Sequence, residues 1–288
     1  MIDSALIQHF QDEGYTLVRG LFSDEEVDFY RRHFMTLRKK GKYQDDFSGV
    51  KSSDEEINRA DPLQKYPRMI HMHRWDEVTL RWMLDDRLRQ HLNAFLGRDP
   101  YAVQTMLYFK PPGARGQALH QDQYYLRAHP GTCVAAWLAL DPCDEANGCL
   151  EIVPGTANLP IMCTTKADTT QSFTDVAVPL AAGMDPKPMI MEPGDVLFFN
   201  GTLIHGSFPN TTSDRFRRSL IAHYVSGEAE QLTQYDQPVL TMDGEEKWLD
   251  FSQFGGACGV WVEENGESTY KIVDHTVVGF DERHLIPQ

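Results

Sequence analysis

Residues 132–155 read TCVAAWLALDPCDEANGCLEIVPG. Two apolar runs, 132–140 and 149–155, flank a polar stretch that holds Asn147-Gly148. Asn-Gly supplies the backbone conformation that a tight turn needs, and runs this short between turn signals read as strands. The same texture continues on both sides. YAVQTMLYFK (101–110), ALHQDQYY (118–125), PMIMEPGDVLFFNG (188–201), LIHGSF (203–208) and RRSLIAHYV (217–225) are further strand-like runs, with Pro193-Gly194 as another turn. Strands at this spacing predict a mainly β fold with flanking helices, a β-sandwich or barrel of the jelly-roll kind.

Outside that core the period changes. Residues 4–13 are helical in pattern and stop at Gly14; YTLVRG (15–20) reads as a strand. Ser23 with Glu26 forms a capping box that opens a helix to about Lys40. Residues 75–97 predict one or two helices ending at Gly97. Residues 42–66 and 157–187 lack a period and are expected to be loops that form a lid over a site. The tail after 230, with CGVWV and YKIV, predicts a hairpin. The expected organisation over 1–288 is one domain: a mostly helical part to 100, a jelly-roll core over 101–226 and a C-terminal extension over 227–288.

The chain of 288 residues is 41% hydrophobic and 24% charged, as expected of a folded soluble protein, and no apolar run is long enough to span a membrane. Its net charge of −15 argues against a nucleic-acid partner. Asp3 and Asp12 stand where a secretory leader would carry basic residues. The five cysteines form no CxxC pair, so a zinc finger or disulfide framework is not expected, and a reducing cytoplasm is the simplest setting.

His120 and Asp122 would share one face of a strand, either as a structural pair or as part of a metal site. His205 follows 85 residues later, beside the small residues Gly206 and Ser207. Two imidazoles and one carboxylate leave open positions on an octahedral ion, which suits non-haem Fe(II); a structural zinc site would favour thiolates. Arg217 lies 12 residues beyond His205, where a buried guanidinium would grip a carboxylate such as that of 2-oxoglutarate, with Arg215 and Arg218 as competitors. On a strand, Arg217 shares its face with Ser219 and Ile221. His71 and His73 alternate in MIHMH, and His71 is the first candidate for a substrate contact; Tyr124 is a second. His129, His223 and His275 belong to no constellation.

Taken in order, MLYFKPPG (106–113), LHQDQYY (119–125), AAWLALD (135–141), NGCLEIVPGT (147–156), PGDVLFFNGTLIHGS (193–207) and RRSL (217–220) resemble the phytanoyl-CoA dioxygenase family of Fe(II)/2-oxoglutarate-dependent oxygenases. The resemblance implies a double-stranded β-helix (jelly-roll/cupin-like) core, that His120, Asp122 and His205 are the iron ligands and that Arg217 holds the distal carboxylate of 2-oxoglutarate. It further implies that Met106 and Trp137 line the cosubstrate pocket and that Ser207 adds a hydrogen bond. Arg217 stands one residue farther from His205 than the family pattern, which keeps Arg215 in play, and a family lysine has no match around Arg68–Met69. The implied activity uses 2-oxoglutarate and O2, releases succinate and CO2, and hydroxylates or otherwise oxidises an unactivated C–H bond of a small molecule. A carboxylate at Asp122 implies oxygenation rather than halogenation. A free metabolite is favoured over a CoA thioester, because basic residues cluster only in RRHFMTLRKKGK (31–42). The alternative is a cupin-type metal-binding protein without 2-oxoglutarate turnover.

Overall fold

A computed structural model describes residues 2–40 and 62–274. The strands in chain order begin with β1 (Tyr15–Val18), β2 (Met69–Ile70), β3 (Pro100–Tyr108), β4 (Gln117–His120), β5 (Cys133–Ala139) and β6 (Leu150–Ile152). They continue with β7 (Thr165–Lys166), β8 (Val176–Ala177), β9 (Lys187–Pro188), β10 (Val196–Asn200), β11 (His205–Ser207) and β12 (Ser219–Ser226). The last are β13 (Gln231–Leu232), β14 (Val239–Thr241), β15 (Glu246–Lys247), β16 (Asp250–Phe251), β17 (Ala257–Glu264) and β18 (Glu267–Asp274).

Two antiparallel sheets make the core. The larger runs β1-β10-β5-β12-β3-β14-β15 with β2 beside β3, and the smaller runs β4-β11-β6-β9. Trp137, Leu197, Phe199 and Ile221 of the large sheet pack with Leu150 and Ile152 of the small one, as a jelly roll requires. The opposite face of the large sheet, with Leu138, Phe198, Leu220 and Tyr224, is covered by Phe34, Trp82, Leu88, Leu92 and Phe95 of the helices. Double covering explains why β5 is buried at every position and reads as an unbroken apolar run. Tyr224 stays hydrogen-bonded in that setting, its hydroxyl donating to the Met83 carbonyl at 2.7 Å.

Local signals set the flanking helices. The helix Ser4–Glu13 starts on the Asp3 side chain and ends at Gly14, whose φ is 73°. The capping box closes in both directions, Ser23 N–H to Glu26 at 2.8 Å and Glu26 N–H to Ser23 Oγ at 3.3 Å. Residues 75–97 form two helices, Glu77–Met83 and Asp86–Leu96, each capped by an aspartate.

Four features differ from the sequence expectation. ALHQDQYY is not one strand: β4 ends at His120, and Asp122 adopts φ −62°, ψ −32° at the head of a short helix, Gln123–Leu126. Gln121 fixes that turn, donating to the carbonyls of Pro160 and Thr202 and accepting from Met162 N–H. Residues 157–187 hold the β7–β8 pair and are fastened to β4 by Val178 N–H to Leu119 O and to the residue before it by Phe173 N–H to Gly116 O. The large sheet does not end at 226, because β14 pairs with β3. Finally, Cys163 and Cys258 form a disulfide across 95 residues. This overturns the expectation of a disulfide-free chain and with it the cysteine argument for a reducing setting; no local spacing announces so distant a pair. Of the loop expected over 42–66, residues 42–61 lie outside the described residues and Pro62–Lys65 form a short helix; no described helix is long and apolar enough to cross a membrane.

Gly194 makes a specific prediction. Its φ is 90°, and a Cβ there would sit 2.1 Å from the Phe22 carbonyl oxygen. Gly194→Ala is expected to cost at least about 1–3 kcal/mol of stability, read by denaturant melting.

Candidate active site

β11 pairs antiparallel with β4 and sets His205 directly opposite His120, their ring centroids 4.2 Å apart. Asp122 reaches the same place from the turn after β4. Its Oδ1 lies 3.4 Å from His120 Nε2 and its Oδ2 3.7 Å from His205 Nε2. One ligand atom from each residue lies within 4.8 Å of the others, the one such group among the described residues. The sequence argument from strand alternation therefore names the pair but not the route, since Asp122 belongs to the turn.

Backbone carbonyls fix the rings. His120 Nδ1 donates to Ala118 O at 2.8 Å and His205 Nδ1 to Leu203 O at 3.1 Å, which leaves both Nε2 lone pairs facing Asp122. Burial, with His120 adding to it, pushes His205 down to about 4, so its ring is neutral and ready to ligate. Burial works against the charge on Asp122. The imidazoles of His205, His223 and His120 around it, with the His223 hydrogen bond, outweigh it and hold the carboxyl well below the usual range. Ligand bonds of about 2 Å place neighbouring donors roughly 3 Å apart, so these separations suit one ion. Two neutral imidazoles and a carboxylate, without a thiolate, are the donor set that suits Fe(II) with open positions.

The three arginines separate cleanly. Arg217 is 2% exposed; its Nε donates to Gly148 O at 2.8 Å, its Nη1 to Ser219 Oγ at 2.7 Å, and it lies over the Trp137 ring. Arg215 is on the surface with Asp144, and Arg218 pairs with Asp141. Ile221 is the register partner of both Met106 and Trp137, so these residues form a row across three strands on the inner face.

Sequence reasoning missed two residues. Lys110 is buried beside Arg217, its Nζ donating to Ser207 Oγ at 2.8 Å and to Phe208 O. Burial, then Arg217, pushes its ammonium well below the usual lysine range. Neither Lys110 nor Arg217 makes an ion pair among the described residues. The second is His223, set aside as isolated, whose Nε2 lies 3.0 Å from Asp122 Oδ2. Its parity with Arg217, Ser219 and Ile221 in RRSLIAHYV is the signal that could have found it.

His71 is buried with its Nε2 2.8 Å from Asp236 Oδ1, which Gln104 also engages. Tyr125, not Tyr124, is the tyrosine whose ring stands 6.2 Å from His120. Tyr124 instead lines a cleft of about 450 Å³ with Arg127, Trp261 and the disulfide.

A family model described as phytanoyl-CoA dioxygenase (PhyH) matches residues 10–219. The chain belongs to the phytanoyl-CoA dioxygenase family. It is 26% identical over 236 residues to the peroxisomal phytanoyl-CoA dioxygenase of Rattus norvegicus, covering 78% of this chain and 68% of that one. The Bos taurus protein of the same name is 28% identical over 229 residues, covering 75% and 66%. The match thus spans about two thirds of those relatives' length. EvdO2 of Micromonospora carbonacea var. aurantiaca shares the fold at a TM-score of 0.62 and 21% identity, covering 78% of this chain and 91% of that one. The epimerase SnoN, solved with Fe3+, alpha ketoglutarate and nogalamycin RO, does so at 0.61 and 19%, covering 79% and 84%. As a phytanoyl-CoA dioxygenase family member, the chain is an Fe(II)/2-oxoglutarate-dependent dioxygenase with the jelly-roll core of its class. Metal-free protein is expected to bind one Fe(II) per chain, and Asp122→Ala and His205→Ala to lose that stoichiometric binding, as read by chelator competition.

Proposed function

We propose that this protein uses O2 and 2-oxoglutarate to hydroxylate, or otherwise oxidise, an unactivated C–H bond of a small molecule, releasing succinate and CO2. The observation that carries the reading is the pair of buried basic side chains, Lys110 and Arg217, on the inner wall that also holds the His–Asp–His group. Burial and Arg217 disfavour the charge on Lys110, which a bound anion would favour; a keto diacid would bring one carboxylate to this pair and its other end to the metal. His120, Asp122 and His205 would hold the iron, which would supply open positions for the keto acid and O2.

The residues of the chain do the rest. Arg217 and Lys110 bind the distal carboxylate, which Arg217 meets with its one nitrogen not committed to Gly148 or Ser219. Ser207, already held by Lys110, orients that end. Met106, Trp137 and Ile221 wall the cosubstrate off from water. Lys110 thus takes the part that the sequence sought near Arg68. On the substrate side stand Tyr125 and, behind Gln104, His71 with Asp236. A strongly acidic chain, net −15, supports a free metabolite over a polyanionic thioester.

The test is an anaerobic titration of the Fe(II)-loaded protein with 2-oxoglutarate, followed by its visible charge-transfer band. Wild-type protein is expected to give a saturable band. Arg217→Ala is expected to weaken 2-oxoglutarate binding about 10- to 100-fold with iron binding intact, as loss of a buried charge-assisted contact would. Arg215→Ala is expected to match wild type; the reverse result would assign the contact to Arg215.

A further inference from the structure

We infer that His223 is a positioning residue that fixes the Asp122 carboxylate so that it offers a single oxygen to the metal. The inference rests on the reading of the metal group given above. An ionised carboxylate only accepts hydrogen bonds, so the 3.0 Å contact requires the proton on His223 Nε2, donated to Asp122 Oδ2. His120 Nε2 is the nearer imidazole to the other oxygen, at 3.4 Å.

The surroundings make this contact decisive. Asp122 stands at the N-cap position of its helix, where an aspartate would ordinarily accept from the helix's own N–H groups, yet it makes no capping bond. Its carboxylate is turned into the site, and its orientation depends on what it meets there. His223 meets it from a rigid base: β12 is paired on one side with β5 and on the other with β3. The register on β3 shifts next to it, between the partners of His223 and Tyr224, so Val103 is the extra residue. Such a bulge beside a site re-aims side chains. The ring is 5% exposed, and His223 Nδ1 has no hydrogen-bond partner, so the Nε2 contact is the polar bond that holds it.

The chemical consequence is the number of positions left open. Two imidazoles and a carboxylate bound through one oxygen leave three sites on a six-coordinate ion, enough for a chelating keto acid and O2. A carboxylate free to bind through both oxygens would close one of them. Occupying Oδ2 keeps that place open.

His223→Phe removes the donor and keeps an aromatic ring, and His223→Gln restores an amide N–H near the place of Nε2. Fe(II) affinity is read by chelator competition, and the anaerobic 2-oxoglutarate band is read at saturating iron. His223→Phe is expected to lose about 10- to 100-fold in Fe(II) affinity and to give a weakened or displaced band, with His223→Gln close to wild type. Wild-type affinity and band in His223→Phe would overturn the inference. Should His223→Phe not fold, His223→Asn replaces it: its shorter amide cannot reach Asp122, so equal behaviour of the Asn and Gln variants would overturn it. Wild-type protein that binds no Fe(II) would overturn the metal reading as well; wild-type binding with unaffected His223 variants would overturn the His223 inference alone.

Discussion

A carboxylate largely enclosed by imidazoles, its side chain 13% exposed, is the constraint on which the rest depends. An isolated buried charge is costly, and Asp122 is tolerable only because three rings from three strands converge on it. β4 and β11 bring two of them by direct register, and β12 brings the third from the facing sheet. The jelly roll is the means of that convergence, since it lays residues 85 or more apart in sequence against one turn. Backbone carbonyls behind His120 and His205 then set the direction of each lone pair.

The opposite electrostatic problem is set a short way along the same inner wall. Lys110 and Arg217 place two basic side chains in a buried corner of a chain that is acidic overall. Gly148 is what allows it: its φ is 87°, and a Cβ there would fall 2.6 Å from the Lys110 side chain and from the Phe208 carbonyl. The Asn-Gly turn between β5 and β6 therefore makes room for the lysine while its carbonyl anchors Arg217. A dianionic cosubstrate, as proposed, would complement the two ends in charge. That complementarity is more specific than either end alone.

Much of this was legible in the sequence where the physics is local. The capping box of Ser23 and Glu26, the stops at Gly14 and Gly97, and the apolar run of β5 each follow from neighbours within a few residues. His120, Asp122 and His205 were legible as a group through residue type, though Asp122 arrives from a turn rather than a strand face. What escaped depends on distant partners. The Cys163–Cys258 disulfide joins two segments with no shared pattern, the fastening of 157–187 to β4 uses backbone groups, and Lys110 gains meaning only beside Ser207 and Arg217. His223 lay in plain alternation with Arg217, but nothing in the sequence places Asp122 opposite it.

The measurement that bears most directly on this account is a crystal structure of the protein loaded anaerobically with Fe(II) and 2-oxoglutarate. The account predicts an anomalous iron peak bonded to His120, Asp122 and His205, with the keto acid's distal carboxylate against Arg217 and Lys110. Iron bound elsewhere, or a keto acid whose distal carboxylate lies away from Arg217, would contradict it.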